Sequence, residues 1–137
     1  MSGGGGFAGA GAGMSIRRLS QLQWFGLLAG GTVWFAEFLA GIGASQARCN
    51  PASGRWGLPH DAIQLGLMLF AAVVVGAAGV ASAIVFRATY DIEEQDPPPH
   101  GRIHFFAAAA CAGNLIFLVI ILLTGIATIV DRTCHQA

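Results

Sequence analysis

Three long apolar runs are separated by short polar segments. Trp24 to Ala44, WFGLLAGGTVWFAEFLAGIGA, holds one ionisable residue, Glu37, a little past its midpoint. A second run covers Ala62 to Phe86 and carries no charge between Leu65 and Val85. The third, Phe105 to Val130, contains the most apolar stretch, LIFLVIILL from Leu115 to Leu123, with Asn114, Thr124 and Thr128 as polar members. A helix rises 1.5 Å per residue, so about 20 residues cross a hydrocarbon core roughly 30 Å thick. Inside lipid an unpaired backbone amide is so costly that a spanning run is driven into helix, even one as rich in Ala, Gly and Val as the second. The pattern therefore predicts an all-α integral membrane protein, with three transmembrane helices over about 22–44, 62–86 and 105–130, short loops, and one transmembrane domain from 20 to 137.

The polar segments read as punctuation. Residues 1–13 are Gly and Ala with a single Phe, too little to bury to offset their ordering entropy, and 1–19 is expected to be a flexible Gly-rich tail. MSIRRLSQLQW, opening at Met14, offers an alternative start. Ser20 and Gln23 match the S-x-x-Q capping box and place a helix start there. A cleaved signal peptide is the rival reading of the first run. That run is longer than a signal's apolar region and holds a Glu, so it is expected to be retained. Gln46 to His60 is rich in turn residues, with Trp56 suited to the membrane interface and His60 and Asp61 placed to cap the second helix. Arg87 to Arg102 carries four acids and then Pro97-Pro98-Pro99, which stop any helix.

Composition agrees. Of 137 residues, 55 % are hydrophobic and 10 % charged, with a mean hydropathy of +0.65. Soluble domains carry about 25 % charge, and one small globular core cannot hide so much apolar surface. Seven Arg balance seven acids, which gives no basic patch and argues against nucleic acid as a partner.

An odd number of spans puts the termini on opposite sides. Arg17, Arg18, Arg87 and Arg102 lie on one face and Arg48, Arg55 and Arg132 on the other, a slight positive-inside bias toward a cytoplasmic N-terminus. Cys49 follows span one and Cys134 follows span three, so both emerge on the same face. On an oxidising face, such as a bacterial periplasm, that pair suits a disulfide. It would close a loop of about 85 residues (134 − 49) and tie the outer ends of spans one and three together. The expected location is therefore a bacterial inner membrane, N-terminus cytoplasmic and C-terminus periplasmic.

Candidate chemistry is sparse. Glu37, deep in a span, is by position a functional candidate, either a proton relay or a polar contact to a partner subunit. The structural alternative is a protonated Glu hydrogen-bonded between helices, and Thr124 or Thr128, at similar depth on a parallel span, are its expected partners. Asn114 is expected to join helices through a side-chain hydrogen bond. Gly26 and Gly30 form G-x-x-x-G, a close-packing surface within the protein or toward a partner. Cys49, His60, Cys134 and His135 share the outer side and are a remote candidate for zinc or copper, although their spacing matches no compact metal motif, and the disulfide is preferred. His100 and His104 sit four apart and are expected to form an interfacial cap. No Ser-His-Asp set, phosphate loop or HExxH is present, and no cofactor is expected.

WFGLLAGGTVWFAEFLAG followed by Cys49, and LIFLVIILLTGIATIVDRTC ending at Cys134, resemble the first and last helices of small three-span proteins associated with bacterial haem–copper cytochrome c oxidases. Those proteins show a Gly-rich first helix with an acid in its outer half and then a Cys, and a last helix running into a short acidic-then-Cys tail. The likeness covers about a third of the chain, and the acidic Pro-rich loop has no counterpart. It implies an accessory or assembly subunit of a respiratory complex, with other membrane subunits and the lipid bilayer as partners and with no catalytic ligand among these residues. The alternative is a small oligomeric transporter or metal-handling protein using Glu37 and the outer Cys/His set.

Overall fold

A computed structural model of the chain describes residues 15–49, 59–91 and 100–130. Three helices fill them: α1 (Ile16–Cys49), α2 (His60–Ala88) and α3 (His100–Val130). All three are long and apolar enough to cross a membrane. The protein is an all-α, three-span, multi-pass membrane protein, as the apolar runs predict.

Each helix packs on both others. The buried positions explain why. On α2 they are Gln64, Met68, Ala71, Val75, Ala78, Ala81, Ser82 and Val85, a stripe with the three-and-four spacing of one helix face. On α1 the buried positions are Gly26, Gly30 and Glu37; on α3 they include Ala107, Ala110, Asn114, Ile121 and Gly125. Most of these side chains are small. Many of the large ones, among them Phe35, Phe70, Val73, Leu115, Leu123 and Val130, are more than half exposed and face outward. This inverts the arrangement of a water-soluble bundle. With lipid as solvent, helices gain nothing by hiding apolar surface from it and associate through close backbone approach. A compact apolar cluster of Met68, Ala71, Val75 and Ile121 fills the middle, with Trp34 and Phe117 packed against it.

Two seams are tight. A methyl placed on Gly26 would collide with Ser82 Oγ and stand 3.3 Å from the Ala78 carbonyl oxygen; one on Gly30 would collide with Asn114 Oδ1. The G-x-x-x-G surface thus serves packing within the protein. On the α2–α3 side, Gly125 admits the Met68 side chain against its Cα.

The helix ends differ from expectation. α1 starts at Ile16, so Ser20 and Gln23 lie inside it and form no capping box; the Ser15 carbonyl instead accepts from the Arg18 and Leu19 amides at 2.9 and 3.2 Å. The helix continues at both ends past its apolar run. At α2, Pro59 occupies the cap position with no side-chain bond, and His60 is already helical. Asp61, in the first turn, approaches Arg48 at the end of α1 at 3.9 Å. Of the tail expected over 1–19, residues 1–14 lie outside the described residues and Ile16 to Leu19 are already helical; the turn-rich and acidic loops lie largely outside the described residues.

Substitution at the tight seam separates packing from propensity. Gly26→Ala should destabilise the folded bundle by about 1–3 kcal/mol, because the added methyl meets backbone as well as Ser82. Gly76→Ala enters open space and should stay within about 0.5 kcal/mol of the parent. Denaturant titration in detergent micelles, followed by tryptophan fluorescence, measures both.

Candidate functional site

The bundle contains two polar centres at different depths. The first is a junction of all three helices. Asn114 Nδ2 donates to the Gly26 carbonyl oxygen at 2.7 Å and to Ser82 Oγ at 3.3 Å. Ser82 Oγ in turn donates to the Ala78 carbonyl at 2.8 Å, so its hydrogen is committed and its lone pairs receive Asn114. One carboxamide therefore links α3 to α1 and α2 at once. Asn114 and Ser82 are 4 % and 1 % exposed, and neither leaves a buried side-chain polar atom unsatisfied. The helix-joining role expected for Asn114 is what the geometry shows.

The second centre surrounds Glu37. α1 and α3 run parallel, with Trp34 against Phe117 at a ring-centroid distance of 5.6 Å, and this brings Thr124 and Thr128 to the depth of Glu37. The bond expected between them is not made. Thr124 Oγ1 donates to the Ile120 carbonyl at 2.7 Å, and Thr128 Oγ1 donates to that of Gly125 at 2.8 Å. A helical threonine finds an acceptor one turn back on its own backbone without any rotamer adjustment by a neighbour, and both residues take it. Glu37, 7 % exposed, is left with Oε2 buried and without a hydrogen-bond partner among the described residues.

Glu37 lines a cavity of about 220 Å³ between the helices, together with Phe38, Gly41, Ile42, Ser45, Gln46, Gln64, Thr124 and Thr128. Glu37, Gly41 and Ser45 share a helix face at intervals of four. Gln64, 2 % exposed, reaches across from α2 and donates through Nε2 to the Gly41 carbonyl at 3.3 Å. The cavity thus runs along α1 from Glu37 to Gln46, nine residues or about 14 Å of helix rise.

Gln64 and Ser82 escape a reading based on charge, but a signal for them exists. They are the two hydrogen-bonding side chains of the second run, and 82 − 64 = 18 residues is five turns of 3.6, so they face the same way.

At the opposite end, His104 stacks on Phe86 at 4.9 Å and its Nδ1 lies 3.1 Å from Thr89 Oγ1. The Thr89 hydroxyl is also within 2.9 Å of the Val85 carbonyl. His104 fastens the end of α2 to the start of α3, in keeping with an interfacial cap.

Of the outer Cys/His set, Cys49 ends α1 and His60 begins α2, while Cys134 and His135 lie outside the described residues, so the bridge and the metal site fall partly outside them too. Cys111 is a free cysteine, half-buried on α3. Compared with protein-family models, curated proteins and solved structures, the chain matches none.

The junction predicts a graded response. Asn114→Ala removes both interhelical bonds and leaves a small void, and should lower stability by about 1–2 kcal/mol. Thr128→Val removes a bond made only within α3 and should change stability by less than about 0.5 kcal/mol. Unfolding titrations of the two variants in the same detergent give the comparison.

Proposed function

We propose that this chain is a non-catalytic accessory or assembly subunit of a bacterial respiratory or other energy-transducing membrane complex, with a terminal oxidase as the first candidate. The observation that carries the reading is the disposition of polar and apolar side chains. Asn114, Ser82 and Gln64 hold the three helices to one another, and large apolar side chains face outward along all three. Such a chain presents the membrane with a preassembled apolar surface suited to packing against other spans. The resemblance of spans one and three to oxidase-associated three-span proteins supports the choice of complex.

In the same reading the protein sits in the inner membrane with its N-terminus cytoplasmic, and Cys49 and Cys134 form a disulfide on the periplasmic face. The Arg48–Asp61 pair supports the placement of the end of α1 beside the start of α2 on one face.

A second reading, an oligomeric transporter or metal-handling protein, draws on one observation, the unpartnered Glu37 carboxyl in its cavity. Three helices cannot enclose a pathway alone, so that reading requires self-association.

Blue-native electrophoresis of solubilised membranes, with mass spectrometry of the band, tests the first reading. Migration with oxidase or other respiratory subunits is expected, and migration only as a free small protein overturns it. Flux of protons or metal into vesicles tests the second: Glu37→Gln abolishes flux if the chain is a transporter and leaves it unchanged if it is a scaffold. Membrane-impermeant thiol reagents, applied after reduction, should reach Cys49 and Cys134 from the same compartment.

A further inference from the structure

We propose that Glu37 is a proton-exchanging carboxyl, reached by water from one face of the membrane only, the face at which α1 ends and α2 begins. The proposal is independent of the partner complex, because every group it uses belongs to this chain.

Three observations converge. Glu37 is 7 % exposed, and its Oε2 has no partner among the described residues. A carboxyl oxygen in that setting is costly unless something supplies the missing bond. The cavity it lines, about 220 Å³, is large enough for several water molecules, each of which needs about 10–15 Å³ and a few polar neighbours.

The polar lining has a definite sense. The Thr124 and Thr128 hydroxyl hydrogens are committed to α3 carbonyls, and Gln64 Nε2 is turned to the Gly41 carbonyl. The two threonines therefore offer the cavity acceptor lone pairs, while Gln64 keeps a second amide hydrogen and its carbonyl oxygen. No direct bond joins Glu37 Oε2 to these acceptors, so in its acid form the proton is passed to them through cavity water. As a carboxylate it draws its donors from water. Each protonation state has a solvation partner, and the two interconvert by transfer of a proton between Oε2 and a cavity water.

The polar lining continues on one side only. Toward the end of α1 the lining continues through Gly41, Ser45 and Gln46, and the charged groups beyond it are the Arg48–Asp61 pair. Glu37 is the one titratable side chain in the lining; α2 contributes Gln64 to it, and α3 contributes Thr124 and Thr128. Toward the start of α1 the path meets Trp34, stacked on Phe38 at 6.0 Å and tilted against Phe117 at 5.6 Å, with both Trp34 and Phe117 packed on the central apolar cluster. These side chains give a water chain no polar partner.

The test uses the purified full-length chain, reconstituted in one orientation into lipid vesicles, and an apolar carbodiimide, which modifies carboxyls in their protonated form. Mass spectrometry reads the adduct at Glu37. The expected result is an adduct at Glu37 that falls as pH is raised on the Cys49 side and is insensitive to pH on the Ile16 side. Glu37→Gln should lose it. Labelling indifferent to pH on both sides, or governed by pH on the Ile16 side, overturns the proposal. A second measurement needs no variant: the infrared carboxyl band of the protein should shift on exchange into D2O within the time of sample exchange, and a band that stays unshifted overturns the proposal as well. Both readouts are taken without a partner, so their failure leaves the accessory-subunit reading to its own test.

Discussion

One side chain, Asn114, ties the three helices into a single body. Its amide nitrogen reaches a backbone carbonyl of α1 and a hydroxyl of α2 from its place on α3. This is possible only because the backbones come close. Gly26 and Gly30 carry no Cβ where the carboxamide and Ser82 need the space. In lipid no hydrophobic force presses helices together, so close contact and a satisfied polar group must supply the association. The seam of small residues and the hydrogen bond are therefore one device: the glycines admit the amide, and the amide fixes the register in which the glycines meet their partners.

That register sets up the contrast between the two halves of the bundle. Around Asn114 the buried side-chain polar atoms are paired, and the central cluster is apolar throughout. Nearer the end of α1 the threonines satisfy themselves within α3, Gln64 satisfies a backbone carbonyl of α1, and Glu37 is left facing an open volume. Trp34 and Phe117 form the boundary between these regions. The same parallel alignment of α1 and α3 that closes the first region brings acceptors to the depth of the carboxyl in the second.

Much of this was legible in the chain as written. The apolar runs gave the spans because lipid leaves a backbone one solution, and three runs of that length need no tertiary information to be read. Asn114 and the Gly26–Gly30 pair were legible as packing elements, since polar and very small residues in a span have few other uses. The depth match of Glu37 with Thr124 follows from parallel helices and a fixed rise per residue. What was not legible was the choice of hydrogen-bond partner. A threonine hydroxyl between its own backbone and a neighbour's carboxyl is decided by fractions of an ångström, which spacing does not encode. The capping box at Ser20 failed for a related reason: the helix found a start further back, at Ile16, where the chain is still compatible with helix. The identity of any complex lies on outward surfaces, where apolar residues serve lipid and protein neighbours equally well.

The odd number of spans has an electrostatic consequence. Two of the helices point the same way and the third opposes them, so one peptide dipole remains uncancelled along the bundle axis. It is equivalent to roughly half an elementary charge, negative at the face where α1 and α3 end. That face is also the one onto which the Glu37 cavity leads. The backbone alone, before any side chain is counted, makes it the more attractive side for a cation to approach.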